Sequence, residues 1–124
     1  MTDIYVDGKA LQSFTATVFE KVGLPVEDAA IEAEVLVWAN LRGVDSHGVQ
    51  RVAGYVRSVD AGHFNPRPNI RIERETAATL LIEGDNAFGP VVTTFAMKQV
   101  IGKAREAGIG WAIIRNTTHQ GAMA

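Results

Sequence analysis

Cysteine is absent from the 124 residues. Disulfides, thiolate nucleophiles and Cys-ligated zinc are therefore excluded, and the absence fits a reducing compartment. No apolar run approaches the roughly 18–20 residues of a membrane-spanning helix. The opening Met1-Thr2-Asp3-Ile4-Tyr5-Val6-Asp7 lacks the basic-then-apolar order of a secretory signal, so none is expected. Charge of one sign is scarce as well. Twelve basic against 14 acidic side chains leave a formal net charge of −2, and without a strong basic patch nucleic acid is not expected as the main partner. That small charge, with 47% hydrophobic residues, also separates the chain from disordered sequences. Phosphate-binding glycine motifs are missing too. Gly108-Ile109-Gly110 runs straight into Trp111-Ala112-Ile113, and no Walker-type Gly-Lys-Ser/Thr occurs. His47, His63 and His119 are too widely spaced in sequence to suggest a metal site.

What is present is strongly patterned. Leu11, Phe14, Thr15, Val18, Phe19 and Val22 recur at helical spacing, predicting a helix over about 9–22 closed by Gly23. Pro25 opens a second helix to about Leu41, with Glu27 and Asp28 where acids suit the dipole. Its apolar residues surround most of the axis, so burial on several sides is expected. Asp45 and Ser46 offer N-caps for a third helix over about 47–60, closed by Gly62. Asn65-Pro66-Arg67-Pro68 reads as extended. Ile70–Arg74 alternates like a half-buried strand, Ala78–Glu83 reads as a second, and Gly84-Asp85-Asn86 as a turn. A long helix over 88–107 follows. Trp111–Ile114 reads as a strand covered on both faces, with a polar loop, Arg115–Gln120, at its C-terminal end. The order predicts a mixed α/β chain: a helical part over 1–69 and an alternating strand-and-helix part over 70–124, divided in the proline-flanked stretch 63–69.

Two segments hold residues suited to chemistry. His47, Arg51 and Tyr55 stand at i, i+4 and i+8, covering roughly 80° of arc on the predicted third helix. Val49, Val52, Val56 and Val59 form a separate stripe that can face a core. In a first helical turn the dipole disfavours an imidazolium, which would leave His47 a neutral base. Arg51 has the planar fork that grips a carboxylate, and Tyr55 can donate to the same ligand. A solvated helix face also exposes Arg, Tyr and His, so spacing alone leaves both readings open. The second segment is Arg115-Asn116-Thr117-Thr118-His119-Gln120-Gly121. It follows a strand, where open α/β sheets tend to place ligands, and Gly121 would permit close approach. A polar surface loop accounts for it equally well. His63 reads as a surface residue.

Four segments together carry a resemblance. They are Ala39-Asn-Leu-Arg-Gly-Val-Asp-Ser-His-Gly-Val-Gln-Arg51 with Tyr55; Gly62-His-Phe-Asn-Pro66; Glu83-Gly-Asp-Asn-Ala-Phe-Gly89; and Arg115-Asn-Thr-Thr-His-Gln-Gly-Ala122. In this order, over essentially the whole chain, they resemble the malate/L-lactate dehydrogenase-like family, with Glu83 where that family usually has Asp. The family includes ureidoglycolate and sulfolactate dehydrogenases, diketogulonate reductase and Δ1-piperideine-2-carboxylate reductases. The resemblance implies hydride transfer between NAD or NADP and a small 2-hydroxy or 2-oxo acid, in a cytoplasmic homodimer. It implies a non-Rossmann mixed α/β cofactor domain, of which 70–124 would be the beginning, after a helical N-terminal subdomain over 1–69. It implies that Ser46 and His47 form a proton relay, that Arg51 and Tyr55 contact the substrate carboxylate, and that His119 lies near substrate and nicotinamide. His119 and Gly121 are the implied cofactor contacts, and either histidine is the implied acid/base. Family members are considerably longer, so the chain is expected to be an N-terminal part with exposed apolar surface. The alternative is a non-catalytic module that self-associates or pairs with a full-length paralogue.

Overall fold

A computed structural model describes residues 2–123. Helix α1 (Gly8–Val22) begins where the Asp7 carboxylate accepts the Ala10 N–H at 2.8 Å, and ends at Gly23 in the left-handed region, φ 117°. It packs against α2 (Val26–Leu41), whose Ala29, Ala33, Leu36, Val37 and Ala39 are buried. The amphipathic stripe of α1 is only partly covered. Thr15 and Phe19 are buried, while Phe14 is 68% exposed.

The third helix departs from expectation. Asp45–His47 and Val49–Arg51 form two separate 3-10 turns, and only Val52–Asp60 is α-helical (α3). Gly48 between the turns is extended, at φ −94° and ψ −157°, and this breaks the helical path. Neither Asp45 nor Ser46 makes an N-cap hydrogen bond to a helix. His47 therefore does not sit in the first turn of an α-helix, and the dipole argument for its neutrality does not apply.

The second half forms a three-stranded sheet in the order β1 (Arg71–Glu75), β2 (Thr79–Ala87), β3 (Trp111–Thr117). β1 pairs antiparallel with β2, and β2 pairs parallel with β3 through the crossover helix α4 (Gly89–Ala107). Gly84-Asp85-Asn86 is part of β2 and not a turn between elements. The β2–β3 register slips between Glu83 and Ala87, with Asp85 at φ 52° and Asn86 at φ 55°. Short polar side chains tolerate that left-handed geometry, so the chain bulges without leaving the sheet. The strand over Trp111–Ile114 continues to Thr117, taking Arg115–Thr117 out of the expected loop. It is covered on one face only: Ala112 and Ile114 pack inward, while Trp111 is 64% exposed and Ile113 58%. β1 is also barer than a half-buried strand, because a register shift between Ile72 and Arg74 interrupts its alternation at the sheet edge.

Two cores meet at the start of α4. One gathers Phe19, Leu24, Ala29, Leu36 and Tyr55 with Phe88 and Val91; the other gathers Leu80, Ile82, Ala87, Val92 and Ala96. Phe88 is the centre of the first. Its ring stands edge-on to Phe19 at 5.6 Å, Phe64 at 5.1 Å and Tyr55 at 6.0 Å. Glu32 is buried on α2, and its Oε2 has no hydrogen-bond partner among the described residues. Burial pushes that carboxyl up to about 8.

Truncating Phe88 removes the ring on which three others rest. Phe88→Ala should cost about 3–5 kcal/mol of stability, against about 0.5 kcal/mol or less for Phe14→Ala. Urea unfolding midpoints of the two variants check this, and equal losses would overturn the core assignment.

Candidate active site

Two distant segments converge between the helices and the sheet. On one side His47 sits in the first 3-10 turn, its Nδ1 2.9 Å from Ser46 Oγ. Arg51, in the second turn, donates from Nε to the Ser46 carbonyl at 2.7 Å, which leaves its two terminal nitrogens available. Tyr55, in the first helical turn of α3, is buried; its ring packs on Phe64 and Phe88. On the other side, β3 delivers His119. Thr118 donates from both N and Oγ1 to the Ala87 carbonyl, at 3.2 and 2.9 Å, tying the segment after β3 to the end of β2.

The two sides meet through His119. Its Nδ1 lies 2.7 Å from Tyr55 Oη, and its ring centroid is 5.3 Å from that of His47, with the planes 31° apart. The Gly121 N–H also points at His119 Nδ1, at 3.2 Å. An N–H can only donate, so Nδ1 accepts, and the neutral ring carries its proton on Nε2. Burial first, then the Arg51 guanidinium, then His47 hold His119 below the usual imidazole range. Tyr55 is pushed up to about 12, by burial first and then by Glu32, with Arg51 opposing. The phenol therefore stays protonated and donates to the imidazole.

Beside this pair opens a cleft of about 520 Å³. Arg51, Arg57, Tyr55 and His119 line it together with Gln50, Gly54, Ser58 and Phe64, and no carboxylate is among them. Neither arginine has a salt-bridge partner among the described residues. The cleft is thus suited to a small anion, with imidazole and phenol at its edge.

The sequence-predicted Ser46, His47, Arg51, Tyr55 and His119 come together here, although the first three lie on 3-10 turns and not on one helical row. Tyr55 belongs to the core and reaches the site only by its hydroxyl. Gly121 is buried at φ 79°, and a Cβ there would lie 2.8 Å from Val35 Cγ1, so its close approach is to α2. His63 is exposed and outside the cleft. Sequence reasoning missed Arg57 and Phe64. It also missed Glu83, a buried residue whose carboxylate accepts from Asp85 N at 2.9 Å, Arg115 Nε at 2.8 Å and Asn116 Nδ2 at 2.9 Å. These bonds, the Asp85 N–H foremost, hold Glu83 below the usual carboxylate range. They also hold Asn116 at φ 51°, just before the chain turns toward His119. The departure from the family's usual Asp at position 83 was the available signal.

The fold is that of a dehydrogenase family. The family pattern described as malate/L-lactate dehydrogenase matches residues 6–124, and the chain belongs to that family. It is 48% identical over 111 residues to a malate dehydrogenase of Pyrococcus abyssi, covering 90% of this chain and 31% of that protein. It is 43% identical over 104 residues to an L-sulfolactate dehydrogenase of Methanocaldococcus jannaschii, covering 84% of this chain and 30% of that protein. The solved structure of malate dehydrogenase from Pyrococcus horikoshii superposes with a TM-score of 0.92 at 47% identity, covering 95% of this chain and 34% of that one. The chain spans about a third of the length of these relatives.

The environment of His119 has a measurable consequence. Its proton NMR titration midpoint should fall below 6.5, and Arg51→Gln should raise it toward that value. Because the folded-state value is lowered, His119 supports stability above pH 6.5, and that support is lost as pH falls through its folded midpoint. A midpoint unmoved by Arg51→Gln would overturn the assigned electrostatics.

Proposed function

We propose that this chain supplies the acid-binding and proton-handling side of an oxidoreductase acting on a small 2-hydroxy or 2-oxo acid. The observation that carries the reading is the meeting of His47 and His119, 5.3 Å apart, beside an arginine with no carboxylate partner among the described residues. The names of the malate and sulfolactate dehydrogenase relatives support it.

Oxidation at C2 of a hydroxy acid removes a hydride from carbon and a proton from the hydroxyl. Arg51 grips the carboxylate through its terminal nitrogens and fixes C2 against the imidazoles. Ser46 holds Nδ1 of His47, leaving Nε2 as the free ring nitrogen that takes the hydroxyl proton or returns it in the reverse direction. His119, neutral with its proton on Nε2, donates a hydrogen bond to the C2 oxygen. Burial first, then the neighbouring Arg51 and His47, favour the neutral form of His119, and His47 is assigned the proton exchange.

A nicotinamide dinucleotide supplies the hydride-carrying ring in this chemistry. The usual helix N-terminal seat for its phosphates is closed here. The N-terminal end of α4, the obvious anion seat, is plugged by the backbone of His119 and Gln120 packed directly against Gly89. The resemblance extends the proposal to cofactor contacts at His119 and Gly121, to NAD or NADP as cofactor, and to a cytoplasmic homodimer.

The test uses oxamate, a 2-oxo acid mimic, followed by NMR on the full chain. It should shift the His47 and His119 signals, and Arg51→Gln should weaken binding about tenfold or more, as befits losing a charged hydrogen-bond donor. Equal binding by both proteins, or none by the parent, would sink the assignment.

One observation favours the second reading, a non-catalytic module that self-associates. Met97, Ile101, Ile109, Trp111 and Ile113 are all exposed on α4, β3 and the link between them. On that reading light scattering shows a concentration-dependent oligomer that Trp111→Glu disperses. A monomer at all concentrations rejects it.

A further inference from the structure

The turn that carries Ser46 and His47 is gripped from outside the cleft. Asn40, in the last turn of α2, donates from Nδ2 to Asp45 Oδ1 at 2.7 Å and accepts the Val49 N–H on Oδ1 at 2.9 Å. A carboxylate only accepts and a backbone N–H only donates, so the amide fits in one orientation alone. One side chain thus spans both ends of the five-residue segment whose middle is His47. The segment's start is tied to the same helix end by Val44 N to Ala39 O at 2.9 Å and Gly43 N to Asn40 O at 3.0 Å.

Arg51 adds bonds from Nε to the Ser46 carbonyl at 2.7 Å and from its N–H to the Gly48 carbonyl at 3.0 Å, but only Asn40 joins the two ends. The segment's internal backbone bonds are those of single 3-10 turns, His47 N to Val44 O and Gly48 N to Asp45 O, both 3.0 Å, and 3-10 geometry makes weaker bonds than an α-helix. Gly48 is buried against the Asn40 amide, and a Cβ there would overlap it. Removing the amide strands the Val49 N–H and frees the turn.

We propose that Asn40 is a positioning residue that locks the Asp45–Val49 turn so that the His47 imidazole faces His119. The inference deepens the proposed function and rests on it for the importance of His47. The ring contact itself is a property of the fold, whether or not an acid binds.

The experiment follows the nuclear Overhauser contact between the His47 and His119 rings in the full chain. Asn40→Asp keeps the acceptor for Val49 but sets carboxylate against carboxylate. The double variant Asn40→Asp/Asp45→Asn restores the pair with its polarity reversed. Gly48→Ala drives a methyl into the Asn40 amide while leaving the chemistry of Asn40 and Asp45 unchanged. The contact should vanish in Asn40→Asp and in Gly48→Ala, with the amide signals of α1 and β2 unchanged, and return in the double variant. A contact that persists in Asn40→Asp, or fails to return in a folded double variant, overturns the proposal. If Asn40→Asp does not fold, Gly48→Ala decides, since a retained contact there is equally fatal. Oxamate binding that fails while the ring contact obeys this pattern would reject the functional reading and leave the positioning role standing.

Discussion

The hydrogen bond from the Tyr55 hydroxyl to His119 Nδ1 joins the helical half of the molecule to the sheet. It fixes His119 at the edge of the cleft. The phenol ring is anchored among Phe64 and Phe88, so its hydroxyl is a fixed donor. The imidazole it meets is fixed in turn, with a defined tautomer. The ring is buried in the core while its hydroxyl reaches the cleft edge, where His119 is its acceptor. Packing and chemistry are here the same constraint.

The path that brings His119 to Tyr55 is built from irregular backbone. A parallel strand running straight would carry its C-terminal residues on past the end of β2. Instead Glu83 collects the Asp85 N–H and the Arg115 and Asn116 side chains, and three non-glycine residues adopt left-handed geometry around it. Each such residue costs of order 1 kcal/mol or more. The buried carboxylate and its donors offset that cost, and the chain leaves the sheet where the histidine is needed.

Much of this was legible in the sequence, and the failures have physical causes. The helices of residues 8–41 follow from periodicity and capping, and the crossover helix from its apolar residues, with Gly108 and Gly110 at its end. Helical spacing singled out the candidate residues of the first segment, His47, Arg51 and Tyr55, yet that spacing was only approximately right. Local pattern placed a continuous helix from residue 47, but the Asn40 amide takes the Val49 N–H and Gly48 adopts an extended conformation. The side chains still converge because two 3-10 turns advance the chain along a similar path. Gly84-Asp85-Asn86 has turn composition and bulges within a strand, since a parallel neighbour supplies bonds that no local signal reveals. Trp111 and Ile113 read as buried because apolar residues usually are; the described residues provide no layer to cover them.

Glu32 gives the proton inventory of the fold an unusual feature. With its carboxyl near 8, this residue is predominantly neutral at pH 7, so the folded molecule is about one unit less negative than its composition implies. Folding at neutral pH must therefore take up a proton at this position. The stabilising share of Glu32 is complete below the ordinary carboxylate range and fades as pH rises toward 8, the reverse of the His119 dependence. The core thus carries a carboxyl that binds its proton on folding, and the fold weakens as alkali removes it.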